Sequence, residues 1–150
     1  MPSEDTTTPD PEFEKAFAAH RAGRLADAIA AYAQILKARP ERHDALNNLG
    51  VALRQAGRLQ AAETCYRRLL SLTDPTARLN VNLANSLRDQ GKLDEAYLFY
   101  RDAIERDSDS ASAWHGLGLV ERDLVRLDQC IDAFDKALPL SQDNDQYLWD

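Results

Sequence analysis

Five polar residues recur in register along this sequence, Asn48 with Asn82 and Arg54 with Arg88 and Arg122, each column spaced by 34 residues. An asparagine amide both donates and accepts, so a column of them can clasp successive peptide groups of an extended chain without reading its side chains. Arginines in register beside that column attract carboxylates or phosphates through charge-assisted bonds. Such a set binds, and nothing near it in sequence points to catalysis. His20, His43 and His115 fall at three different places in the repeat, without the i, i+4 partner that a zinc site uses. There is no glycine-rich phosphate loop, and no Ser or Cys has a base and an orienting acid close by in sequence. Asp27, Asp94, Glu95, Asp102, Asp128 and Asp132 stand among Arg and Lys at short spacing, the pattern of solvated helix faces. The expectation is a chain without enzymatic activity, cofactor or metal.

The elements that must hold these residues are read most easily from Asp44 to Tyr66. Leu46, Leu49, Gly50 and Leu53 follow i, i+3, i+4, i+7 spacing, and Leu59, Ala62 and Tyr66 do the same after Gly57. Two short amphipathic helices hinged at Gly57 are implied, and neither could bury its stripe alone. The unit returns: Gly23, Gly57, Gly91 and Val125 share the hinge place, and Leu25, Leu59, Leu93 and Leu127 follow it by two. Ala28, Ala62, Ala96 and Cys130 form a small-residue column in the second helices, and Tyr32, Tyr66, Tyr100 and Phe134 an aromatic one. In the first helices the small column is Ala16, Gly50, Ala84 and Gly118. Small residues allow close helix packing, and the aromatic ring fills the space towards the next pair.

These columns resemble the tetratricopeptide repeat family, a 34-residue helix-turn-helix unit. The run Ala113-Trp114-His115-Gly116-Leu117-Gly118 is similar to the family's first helix, and Ala28, Tyr32 and Pro40 to its second. The resemblance spans residues 9–144 and implies an all-α fold, a right-handed α-solenoid of about four repeats at about 9–42, 43–76, 77–110 and 111–144. The helix-ending proline is kept as Pro40 and, one place late, Pro75; Ser108 and Gln142 replace it elsewhere. Glu12 and Lys15 stand where the first helix of unit one would carry large apolar residues. Helices are predicted at 11–21, 25–38, 42–56, 59–73, 76–90, 93–106, 110–124 and 127–140, with N-cap oxygens from Asp74 or Thr76 before the third pair and Ser108, Asp109 or Ser110 before the fourth.

Composition agrees with one folded domain: 150 residues, 44% hydrophobic and 29% charged. A net charge of −7 argues against nucleic acid or an anionic membrane as the main partner. Residues 1–10 are polar, interrupted by Pro2 and Pro9, and read as a disordered tail, with the repeats at 11–144 and the start of a further helix or a fold-back tail at 145–150. There is no signal-peptide pattern and no apolar run of the roughly 18 residues needed to cross a membrane, so a cytoplasmic location is expected. Cys65 and Cys130 sit two repeats apart in different columns and are expected as free thiols.

The resemblance also implies where a partner would lie, because in this family first helices line a concave groove. Counting His43, Ala77 and Ala111 as first places, the lining positions are Asp44, Asn47, Asn48, Val51, Arg54 and Gln55 in the second unit. In the third they are Arg78, Val81, Asn82, Asn85, Arg88 and Asp89, and in the fourth Ser112, His115, Gly116, Leu119, Arg122 and Asp123. The family's carboxylate clamp is matched only at Asn48 and Arg78, since Phe13 and Phe17 occupy its first pair. The asparagine ladder of O-linked N-acetylglucosamine transferase repeats is closer in flavour. Two local alternatives accompany the binding reading: Asn48 and Asn82 can bond across neighbouring helices, and Asp89 and Asp123 can neutralise Arg88 and Arg122.

Three functions are therefore expected in order. The first is a protein-interaction module gripping an extended peptide, acidic or with a free C-terminus, and neither nucleic acid nor membrane. The second is the recruiting front of a larger enzyme such as a glycosyltransferase, suggested by Tyr147, Leu148 and Trp149 near the end of the sequence. The third is a homo-oligomeric scaffold associating through its chain ends, with Phe13 and Phe17 at the opposite end as the docking point.

Overall fold

The computed structural model describes residues 10–142. Of the tail expected over residues 1–10, all but Asp10 lies outside the described residues, as does the apolar run Tyr147 to Trp149. Eight helices are present among them: α1 (Pro11–Arg21), α2 (Leu25–Ala38), α3 (His43–Gln55), α4 (Leu59–Leu72), α5 (Ala77–Asp89), α6 (Leu93–Arg106), α7 (Ala111–Asp123) and α8 (Leu127–Gln142). Every start lies within one residue of the sequence expectation and every end within two. The largest departure is α8, which runs past Pro139 to Gln142. Proline removes its own N–H from the ladder, and Asp135, whose carbonyl loses that bond, is exposed to water.

The chain divides into two compact units, Met1–Cys65 and Tyr66–Asp150, with α4 crossing the boundary. In the first unit α2 packs against α1 and α3. Its core is Ala16, Ala19, Ala28, Tyr32, Ile35, Leu46, Leu49 and Leu53, with the Tyr32 side chain fully buried. Helix α1 contributes only two alanines to that core, as Glu12 and Lys15 foretold. Its start is secured otherwise. Asp10, placed by the sequence reading in the polar tail, is the N-cap: Oδ1 accepts the backbone N–H groups of Glu12 (3.0 Å) and Phe13 (3.3 Å). Its other carboxylate oxygen accepts from Arg39 Nη2 at 2.6 Å and from Arg42 Nη1, tying α1 to the α2–α3 connection. The Arg42 guanidinium is the largest cause that holds the Asp10 carboxyl well below the usual carboxylate range. Arg42 also lies 4.7 Å from the centroid of the Phe13 ring.

In the second unit α6 packs against α5 and α7, α7 against α8, and α5 also meets α7. Thr76 caps α5 by accepting from Leu79 N–H (3.1 Å), and Ser110 caps α7 by accepting from Ala113 N–H (3.3 Å). The core runs through Leu79, Leu83, Leu87, Tyr100, Leu117 and Val120. Two glycines mark the closest approaches. A β-carbon on Gly118 would stand 2.6 Å from the Phe134 ring, and one on Gly116 would stand 2.2 Å from the Tyr100 ring. Cys65 is half-buried and Cys130 buried, both free thiols, and burial pushes the Cys65 thiol up.

Each hinge closes in the same way. After α5, Lys92 N–H reaches Leu87 C=O (2.9 Å) across a residue in the left-handed region; after α7, Arg126 N–H reaches Glu121 C=O (2.8 Å). At Gly23, Gly57 and Gly91 the φ angles are 75°, 76° and 77°. Val125 adopts 61° at the same repeat place, a conformation that a β-branched residue rarely enters.

Candidate functional site

The first helices of the second unit carry four of the anticipated polar residues, Asn85 and Arg88 on α5 and His115 and Arg122 on α7. Asn85 on α5 accepts a hydrogen bond from the Tyr100 hydroxyl of α6. Arg88, one turn along α5 from Asn85, donates from Nη1 to that hydroxyl at 3.4 Å and from Nη2 to Asp89 at 3.3 Å. His115 on α7 is exposed and rests against Phe134, with ring centroids 5.6 Å apart. Partial desolvation, and then the positive charges of Arg88 and Arg122, hold the imidazole below its ordinary pKa. Arg122 donates from Nε and Nη2 to Asp123 at 3.0 and 2.9 Å. Both guanidiniums thus act electrostatically on the imidazole, and Leu119, half-buried, lies one turn along α7 from His115. Chemically, such a set can hold a carboxylate.

The remaining expected residues are placed differently. Arg78 is exposed, and Asn82 is half-buried with interactions of its own inside the fold. In the first unit Asn47, Asn48, Val51 and Arg54 are half-buried on α3, and Asn47 and Arg54 are likewise engaged. Asn48 acts on the buried Tyr32 hydroxyl of α2, lowering a phenol pKa that burial raises and Asp44 raises further. That hydroxyl is buried and makes no hydrogen bond of normal geometry among the described residues. The alternative in which the following aspartates pair with Arg88 and Arg122 has direct hydrogen bonds behind it.

Three features were invisible in the sequence. His20 Nε2 and Gln55 Oε1 lie 2.7 Å apart, joining α1 and α3. Phe13 and Phe17 stack at 6.3 Å, with Phe13 also against Tyr32 at 5.9 Å. The sixth repeat place, Asn48 beside Tyr32, becomes Gly116 beneath Tyr100, and the absent side chain admits the ring that braces Arg88. The only signal for the last was the loss of asparagine at that place in the fourth repeat. Among the described residues no three His, Cys, Asp or Glu side chains gather as a metal site requires.

The tetratricopeptide repeat profile matches residues 13–78 and 81–145, most of the sequence, and the chain belongs to that family. Among solved structures it is similar to MamA from Desulfovibrio magneticus RS-1, at 18% identity and a TM-score of 0.82 over 94% of this chain and 80% of that one. Another MamA crystal structure gives 23% identity and a TM-score of 0.78 over 90% and 77% of the two chains. PilF of Pseudomonas aeruginosa gives 23% and 0.78 over 87% and 60%. At these identities the likeness establishes the fold, an all-α solenoid of helix-turn-helix repeats. Comparison with curated proteins returns no match. Repeats of this family are typical protein-interaction scaffolds and are generally without enzymatic activity. Among the described residues no helix is long and apolar enough to cross a membrane.

Proposed function

We propose that this chain is a non-enzymatic, cytoplasmic interaction module that grips an extended, carboxylate-bearing segment of another protein on its first-helix faces. The observation that supports this reading is the recurrence of Arg88 and Arg122 at one repeat place on α5 and α7, two first helices that pack together, in a chain of net charge −7. Charge-assisted hydrogen bonds contribute about 1.5–3 kcal/mol each, so losing both arginines weakens binding by at least tenfold. The test is fluorescence anisotropy with a labelled, glutamate-rich peptide bearing a free C-terminus, against a lysine-rich control. Arg88→Ala with Arg122→Ala is expected to abolish most of the acidic-peptide signal while helicity stays unchanged; equal binding by the variant refutes the proposal.

A second reading, association between copies, has its own support in α8. Leu127, Ile131 and Leu138 are 60%, 57% and 60% exposed and share one stripe of that helix. Light scattering over a concentration series decides it: mass that rises with concentration, and that Ile131→Lys abolishes, supports self-association.

A further inference from the structure

Helix α8 is the last described helix, and comparison with the other second helices identifies the face of it that lacks a cover. Its exposed stripe, Leu127, Ile131 and Leu138, corresponds to Leu25, Ile29 and Leu36 on α2 and to Leu93, Tyr97 and Ile104 on α6. Those six are all half-buried, and α2 and α6 pack against the first helices that follow them, α3 and α7. On α8 the same places meet no following helix among the described residues. The space left open is thus one that an amphipathic helix fills.

Charge decides which kind of helix. Asp128, Asp132 and Asp135 follow i, i+4, i+7 spacing and flank the apolar stripe. All three are exposed, and none makes an ion pair or a side-chain hydrogen bond among the described residues. Acids on other second helices do find arginines: Asp27 meets Arg24 at 3.6 Å, Glu95 meets Arg67 at 2.8 Å and Asp102 meets Arg106 at 2.8 Å. Lys136, next to Asp135, lies instead over the Trp114 ring, with Nζ 4.4 Å from its centroid. Nor does the repeat itself supply this acidic row. The same places hold Ala26, Ala30 and Ala33 on α2, and Asp94, Leu98 and Arg101 on α6.

We propose that this face of α8 docks a basic amphipathic helix of another protein. The apolar side of that helix packs on Leu127, Ile131 and Leu138, and its lysines or arginines face Asp128, Asp132 and Asp135. The surface is separate from the peptide reading on α5 and α7, and it competes with association of copies through the same stripe. Charge separates the occupants. A second copy brings three more carboxylates and a net charge of −7 to the contact. The residues after α8 bring Asp143, Asp145 and Asp150 and neither Lys nor Arg. A cationic helix alone neutralises the row while covering the stripe.

The test uses the full chain and labelled model peptides read by fluorescence anisotropy: a leucine-faced helix flanked by lysines, the same face flanked by glutamates, and the lysine peptide with its residues scrambled. The wild type is expected to prefer the lysine-flanked helix over both others, with affinity that falls as salt rises. Ile131→Ser with Leu138→Ser should weaken it by about tenfold or more, through lost apolar cover. Asp128→Asn with Asp132→Asn and Asp135→Asn should weaken it by about tenfold, as three exposed ion pairs warrant. Glu14→Gln with Glu41→Gln and Glu105→Gln removes the same charge from exposed acids elsewhere and should leave affinity within about twofold. Every replaced side chain is exposed, so helicity and melting stay close to those of the wild type. An equal loss in the glutamate control assigns binding to net charge and overturns the inference, as does equal binding of either comparison peptide or no binding by the wild type. Light scattering without peptide tests the rival occupant: a mass that rises with concentration, and that added lysine-flanked peptide does not lower, gives the stripe to a second copy and refutes the basic helix.

Discussion

Val125→Gly removes a backbone cost that the other three hinges avoid, and its size follows from local geometry. A left-handed conformation costs an L-residue roughly 1–2 kcal/mol, and β-branching puts Val125 at the upper end. Against this, glycine gives the unfolded chain extra freedom worth roughly 0.5–1 kcal/mol. The valine side chain is 77% exposed, so deleting it forfeits only about 0.5 kcal/mol of apolar burial. The balance is a net stabilisation of about 0.5–1 kcal/mol. The reverse change at the equivalent place, Gly91→Val, meets nothing within 4 Å of the new β-carbon, so it adds backbone strain without a clash there. It should destabilise by about 1 kcal/mol. The assay is urea denaturation followed by helical circular dichroism, with amide hydrogen exchange on α5 to α8 because repeats need not unfold as one unit. Opposite signs at the two places support the argument; a Val125→Gly protein no more stable than wild type, beside a neutral Gly91→Val, would refute it.

Two further outcomes follow from close contacts. Gly116→Asn restores the residue found at this place in the second and third repeats but drives a side chain into Tyr100, and overpacking of this kind costs about 1–3 kcal/mol. It should lower the melting temperature and, by displacing Tyr100 from Arg88, weaken acidic-peptide binding; unchanged melting contradicts the packing. Asp10→Asn keeps a competent cap but loses the charge between Arg39 and Arg42. Because the folded carboxyl titrates below its ordinary range, its stabilisation is present above that range and fades as pH falls towards the folded value. The variant should therefore melt lower at neutral pH, with the gap closing in strong acid, and a gap independent of pH would contradict the bridge.

The family, the helix boundaries and the hinges were legible in the sequence because each is a local property repeated four times. Helical spacing of Leu46, Leu49, Gly50 and Leu53 and the return of Gly23, Gly57 and Gly91 need no knowledge of neighbouring helices. The small columns likewise announced close approaches, which Gly118 against Phe134 realises. The candidate site was legible as residue types and not as partners. Spacing put Asn48 and Asn82 in one column, yet Asn48 attends the Tyr32 hydroxyl, and the same place in the fourth repeat is vacated for Tyr100. Arg88 and Arg122 were columns on paper; tertiary packing set one against Tyr100, paired both with aspartates and placed His115 in their field. Asp10 looked like the end of a tail until Arg39 and Arg42 closed on it from residues far along the chain. Periodicity determines which face of a helix is buried, since backbone geometry fixes 3.6 residues per turn. Which polar atom meets which depends on distances between helices and on rotamers chosen by packing, and these exist only once the helices are assembled.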